Sequence, residues 1–239
     1  MKIKANWLGK KSLIIRQYLV SLLSYIKSPF TKKNPEAAKK YFSSIYNHSI
    51  EDDLIFDGNS FAYFEKVQCL LPAGNTVECI YDCGCGEASF LRFIQDNAWY
   101  YQCYIGIDYA ITPQKLSGKE ELIQADITKF DFNAHSKECL LVFTNVFCYL
   151  SDAAVQSILS KISKPSTRLL IVEPIPGLFW DATFSNVQLY YRTNKKLTRL
   201  LEKYGFKRKG FVKDYLFKIG GFFLVSLSSA AIYEFEEVK

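Results

Sequence analysis

The sequence predicts an α/β protein built on a doubly wound, mostly parallel sheet. Three observations predict it. Short apolar runs alternate with helix-length amphipathic segments from residue 77 to residue 173. The first run, Val77 to Asp82, feeds a glycine-rich turn, Asp82-Cys83-Gly84-Cys85-Gly86. The next, Cys103 to Asp108, ends in an acid 26 residues after Asp82.

Each element follows from its residues. Ser12–Ile26 is apolar with a helical repeat, interrupted by Arg16 and flanked by lysines. It is too short to span a bilayer comfortably and reads as a cap helix, with a membrane-surface helix as the alternative. Pro29 and Pro35 frame a linker, and Glu36–Tyr46 begins a second helix. A third runs from Phe61 to Leu71 and stops at Pro72. This divides the chain into an N-terminal helical cap, residues 1–72, and a sheet domain, residues 73–239. After the first strand a helix is expected from about Glu87 to Ala98. Further strands are expected at Cys103–Asp108, Glu121–Gln124, Glu138–Thr144 and Arg168–Val172. Ser151 caps a helix with apolar positions Val155, Ile158, Leu159 and Ile162. Another helix, Lys195–Tyr204, ends at Gly205. Phe211–Lys218 and Phe222–Ala230, joined through Gly220-Gly221, read as an antiparallel hairpin.

Charge and cysteine content narrow the class. The net charge of +6 is unevenly spread. Residues 1–50 hold ten basic residues and one acid; residues 51–191 hold nine basic and eighteen acidic; residues 192–218 hold ten basic and two acidic. Two basic blocks suit an anionic partner such as RNA, an acidic lipid face or a phosphorylated small molecule. Seven cysteines is an odd number. Cys79, Cys83, Cys85 and Cys103 fall on or beside strands and read as small buried hydrophobes. With no signal peptide visible, a cytoplasmic location and reduced thiols are expected. No metal site is expected, because residues 79 to 82 are strand and no His stands near.

The turn and the acid define a ligand. Gly84 and Gly86 accept positive φ and let backbone approach a bound group. Asp82 ends its strand at the carboxyl edge, where open α/β sheets bind ligands. Asp108 is placed for two ribose hydroxyls. The spacing is not G-x-G-x-x-G, and Glu87, near the first helical turn, would repel a pyrophosphate. A ligand with a positive or zwitterionic centre fits better.

On these residues the chain resembles the class I S-adenosylmethionine-dependent methyltransferases over residues 77 to 230. The resemblance implies a Rossmann-like sheet of seven strands in the order 3-2-1-4-5-7-6, with strand seven antiparallel and helices on both faces. It implies S-adenosyl-L-methionine as cofactor and S-adenosyl-L-homocysteine as product. The family's glycine motif matches Asp82, Gly84 and Gly86, with Cys85 inside it and Ala88 where the third glycine stands. The ribose-binding acid matches Asp108, followed by Tyr109. Asp126 and Ile127 match the adenine-contacting pair, and Asn145 the strand-four position.

The acceptor is less defined. Asn145-Val146-Phe147-Cys148 lacks the prolines of the signature for amino-group methylation on adenine or glutamine. A hydroxyl or amine of a small molecule, glycan or natural-product precursor is expected. RNA methylation and non-catalytic cofactor binding are the alternatives. His48 and Glu173 are the candidate bases. Tyr46, Phe147, Tyr149, Trp180, Tyr190 and Tyr191 are candidate pocket walls, and Arg192 a candidate partner for an anionic acceptor.

Overall fold

A computed structural model describes residues 64, 68–71, 76–132, 138–162, 164–174, 190, 192–219 and 222–237. The two helices expected at Ser12–Ile26 and Glu36–Tyr46, and with them most of the 1–72 cap, lie outside these residues.

The sheet has eight strands: β1 Thr76–Cys83, β2 Tyr100–Asp108, β3 Gln114–Lys115, β4 Glu120–Gln124, β5 Cys139–Thr144, β6 Thr167–Pro174, β7 Phe206–Ile219 and β8 Phe222–Phe235. Their order is β3-β4-β2-β1-β5-β6-β8-β7. The run β4-β2-β1-β5-β6 is parallel, while β8 is antiparallel to both β6 and β7. Without β3 this is the expected order, so the count of seven strands is corrected to eight. The extra strand arises because Gln114 and Lys115 fold back antiparallel on Leu122 and Glu121. The turn between them is closed by the N–H groups of Leu116 and Ser117, both donating to the Glu120 carbonyl. Two residues are too few to show any alternation, so no sequence pattern marks them.

The central strands are apolar on both faces, as burial under two layers requires. Ile80 of β1 joins Leu140 and Val142 of β5 on one face, with Val77 packed into the same cluster. They meet α1, Ser89–Asp96, through Phe90, Leu91, Phe93 and Ile94. Tyr81 and Cys83 join Leu141 and Phe143 on the other face. There they meet α2, Asp152–Ile162, through the four expected positions, and α3, Asn194–Glu202, through Leu197, Leu200 and Leu201. Ser151 caps α2 as expected, its Oγ accepting from the Ala154 N–H. Thr193 caps α3 in the same way, accepting from Lys196 N–H. Gly205, at φ +83°, ends the chain's turn out of α3 into β7. The hairpin strands are longer than the sequence implied, pairing from Phe206↔Phe235 to Ile219↔Phe222.

Two cysteines are corrected. Cys79 and Cys103 are register partners on β1 and β2, with Cα atoms 4.8 Å apart, and form a disulfide. They were read as free thiols because a strand pattern does not reveal which residues of neighbouring strands face each other. The bond closes a sequence separation of 24 residues. Chain-entropy arguments assign such a loop about 3 kcal/mol. Thermal unfolding with and without reductant is expected to show a lower midpoint on reduction, and Cys103→Ser is expected to lose that difference.

Candidate functional site

The glycine turn lies against the C-terminal end of β2. Gly84 N–H donates to the Ile107 carbonyl at 2.6 Å, and Cys85 N–H to the same oxygen at 3.3 Å. Gly86 N–H donates to Asp108 Oδ2 at 3.2 Å. Asp108 Oδ1 accepts from Ala110 N–H at 2.8 Å. The acid and the turn therefore sit together at the carboxyl edge. Burial pushes the Asp108 carboxyl up, and its backbone N–H partners pull against that. Asp82, only 2% exposed, accepts from the Tyr104 hydroxyl at 2.6 Å. Burial raises its pKa to about 7, the Tyr104 bond opposes this, and the charge of Asp108 adds to it. A cationic group beside this pair would draw both carboxyls back toward the ionised form.

Three turn residues take left-handed backbone: Gly84 at φ 77°, Gly86 at φ 48° and Ala88 at φ 57°. The glycine requirement at the third position is thus conformational, and Ala88 meets it at a cost. A Cβ on Gly84 would stand 2.5 Å from Val146 Cγ2. The space at Gly84 is used by a neighbouring side chain of the protein. Cys85 turns inward, where a Cβ on Gly106 would come within 2.9 Å of its Sγ. Glu87 precedes the helix and pairs with Arg92 at 3.8 Å.

The other expected residues are placed as follows. Tyr109 is half-buried, with its carbonyl accepting from Gln124 Nε2. Asp126 is exposed, and its Oδ1 accepts from the Thr128 N–H and hydroxyl. Ile127 packs into the core beneath it. Asn145, exposed and at φ 56°, ends β5. Phe147 is core, its ring tilted against that of Phe143 with centroids 4.6 Å apart, so it supports the site from below. Tyr149 and Tyr190 are half-buried. Tyr46, His48, Trp180 and Tyr191 lie outside the described residues.

Glu173 is buried at the end of β6. Its carboxylate accepts from the N–H groups of Val146 (3.0 Å), Phe147 (2.7 Å) and Cys148 (2.9 Å). Burial raises its pKa to about 7 against the pull of those donors. Arg192 is also buried; its guanidinium donates to the carbonyls of Phe147, Leu150 and Tyr190 and to Asp152. Arg192, the candidate partner for an anionic acceptor, directs these bonds into the protein. Tyr104, on Asp82, and Gly106, beneath Cys85, join the site without a sequence motif of their own. Their only signal was position: Asp82 pairs with Gly106, and Ile80 with Tyr104. The second basic block divides in a similar way. Lys196 pairs with Asp152 and Lys207 with Glu236, while Lys195, Arg199 and Lys203 line an open groove between α2 and α3.

No family model matches the chain, and no curated protein matches it. Solved structures do. A putative S-adenosylmethionine-dependent methyltransferase from Listeria monocytogenes superposes with TM-score 0.57 at 16% identity, covering 75% of this chain and 100% of that one. One from Archaeoglobus fulgidus gives 0.55 at 15%, covering 74% and 94%. LepI, in complex with S-adenosylhomocysteine and a substrate analogue, gives 0.53 at 15%, covering 82% of this chain and 51% of that one. The chain thus spans about half the length of LepI. It also covers 46% of a pericyclic reaction enzyme, at TM-score 0.50, 15% identity and 72% coverage of this chain. The protein therefore has the class I S-adenosylmethionine-dependent methyltransferase fold.

Two outcomes test the turn. Gly84→Ala is expected to lower the thermal midpoint, through a left-handed backbone cost of about 1–2 kcal/mol and the contact with Val146. Ala88→Gly, measured alongside, is expected to show no loss.

The raised carboxyls set a pH dependence. A carboxyl whose folded pKa exceeds its unfolded value binds more protons when folded, so its contribution is complete below the ordinary carboxylate range and is lost as pH rises through about 7. Urea unfolding between pH 4.5 and 8 is expected to show stability from Asp82 and Glu173 falling across that interval. Asp82→Asn is expected to make the fall shallower.

Proposed function

We propose that the protein transfers a methyl group from S-adenosyl-L-methionine to a hydroxyl or amine of a small molecule, glycan or natural-product precursor. One observation carries the reading: the Asp108 carboxylate stands at the carboxyl edge of the sheet with the Gly86 N–H on its Oδ2. That is an acid for ribose hydroxyls beside a glycine turn whose own N–H groups are held by Asp108 and the Ile107 carbonyl.

The residues fit such a cofactor. Asp108 has lone pairs beyond those its two N–H partners use. The buried Asp82–Asp108 pair gains from a positive ligand and loses with a pyrophosphate. The bound cofactor supplies a methyl group already activated by its sulfonium. What remains for the chain is orientation of an acceptor and exclusion of water, and alignment contributes heavily to such reactions. Asn145, in left-handed backbone at the end of β5, lies on the edge where an acceptor would approach. Tyr149 and Tyr190 stand on the acceptor side in this reading, and His48, the base expected from the sequence, lies outside the described residues. The fold's occurrence in a pyocyanin biosynthetic protein, PhzM, supports a small organic acceptor; that match has TM-score 0.51 at 13% identity and covers 72% of this chain and 54% of that one.

Isothermal calorimetry with S-adenosylmethionine is expected to show one site per chain. Asp108→Ala is expected to weaken it about 100-fold, the worth of two hydrogen bonds to a charged group. Unchanged affinity in that variant would remove the ribose assignment and the reading with it.

A further inference from the structure

The segment after β5 is held on both sides by buried charges that no acceptor needs to touch. Glu173, from β6, takes three of its N–H groups: Val146, Phe147 and Cys148. Arg192, from the residues entering α3, takes its carbonyls. One Nη donates to Phe147 O at 2.7 Å and the other to Leu150 O at 2.6 Å. The Arg192 Nε reaches Asp152 Oδ1 at 2.7 Å, and the Tyr190 N–H donates to Cys148 O at 2.6 Å. Glu173 and Arg192 are 8% and 9% exposed. Burying two ionisable side chains is costly unless each is fully hydrogen-bonded. Here both hold one stretch of six residues, and Arg192 also bonds Asp152 and the Tyr190 carbonyl.

That stretch touches the cofactor turn. Val146, whose N–H is held by Glu173, lies against Gly84 so closely that a single Cβ there would come to 2.5 Å from its Cγ2. The 145–150 segment therefore packs directly against the Gly84–Gly86 turn, on the side away from its bonds to Ile107 and Asp108.

We propose that Glu173 and Arg192 are positioning residues, a two-sided clamp that fixes Val146 against Gly84 and so shapes the cofactor turn. Neither touches the reacting atoms in this role. In this role Glu173 acts through the three backbone N–H groups it holds and not as a general base. The clamp also ties the segment carrying Tyr190 to the segment carrying Asn145, so the two sides of the site move as one body. Its effect on cofactor affinity rests on the function proposed above; its effect on the turn does not.

The test uses the full chain and the variants Glu173→Gln, Arg192→Lys and, as a remote control, Tyr101→Phe. Tyr101 bonds Glu120 at the far end of β2. Gln offers one acceptor oxygen and sets an NH₂ against a backbone N–H, and Lys cannot reach several carbonyls in a plane. Hydrogen exchange of peptides covering 82–88 and 145–150 is measured first. Affinity for S-adenosylmethionine without any acceptor is measured second. Glu173→Gln and Arg192→Lys are expected to speed exchange in both peptides and to weaken cofactor binding, each by about tenfold. Tyr101→Phe is expected to leave both unchanged. If Glu173→Gln does not fold, Arg192→Lys decides. If the wild-type chain binds no cofactor, exchange alone decides the clamp, and the failure belongs to the proposed function. Loosening of 145–150 with unaltered exchange at 82–88 overturns the proposal. So does a Glu173→Gln variant with native exchange and cofactor affinity that loses only turnover, since that is the signature of a base.

Discussion

The site depends on the way the Gly84–Gly86 turn is pinned to the end of β2. The Ile107 carbonyl accepts from two successive N–H groups, and the next residue, Asp108, accepts from a third in the same turn. Parallel pairing of β1 with β2 brings Cys83 level with Ile107, so the turn leaves β1 at the height where β2 stops. With the turn held this way, the acid faces it without any loop having to close. Removing the pairing would separate two groups that lie 22 residues apart in sequence.

A second layer supports the first. The turn's left-handed residues leave Gly84 without a side chain where Val146 arrives. Val146 in turn hangs from the Glu173 carboxylate. Below it Phe147 fills the core against Phe143. The chain of contacts runs from β6 through the β5 segment to the β1 turn, so strands that are not neighbours share one geometry. Cys85 completes it from beneath, seated over Gly106 where a larger residue would collide.

Much of this was legible because it is written in short-range pattern. The D-x-G-x-G turn, the terminal acid of β2, the caps and apolar positions of α2 and the stop at Gly205 are each signalled within a few residues. The long-range contacts were not. Nothing in the spacing says that Cys79 faces Cys103, or that Arg192 turns inward to carbonyls forty residues upstream, because register and side-chain direction are set by packing. Ala88 hides its conformation for a related reason. An alanine reads as a helix former, and its left-handed conformation is imposed by the turn around it. Glu173 was legible as an acid on the ligand edge, but which donors it meets depends on the path of a different strand's loop.

The little β3 strand bears on how the molecule behaves in company. A sheet border is a row of unsatisfied backbone groups that invites strands from other chains. Here Gln114 and Lys115 cover part of β4, so the border they form is two residues long and carries a lysine. At the opposite border β7 is long, but its ladder with β8 is broken by register shifts from Arg208 onward, and bulges twist a strand away from flat stacking. Lys207 and Lys209 add charge there, paired with Glu236 and Glu234 of the neighbouring chain end. The two borders of the described sheet are thus a two-residue strand carrying a lysine and a long strand whose pairing is interrupted by register shifts.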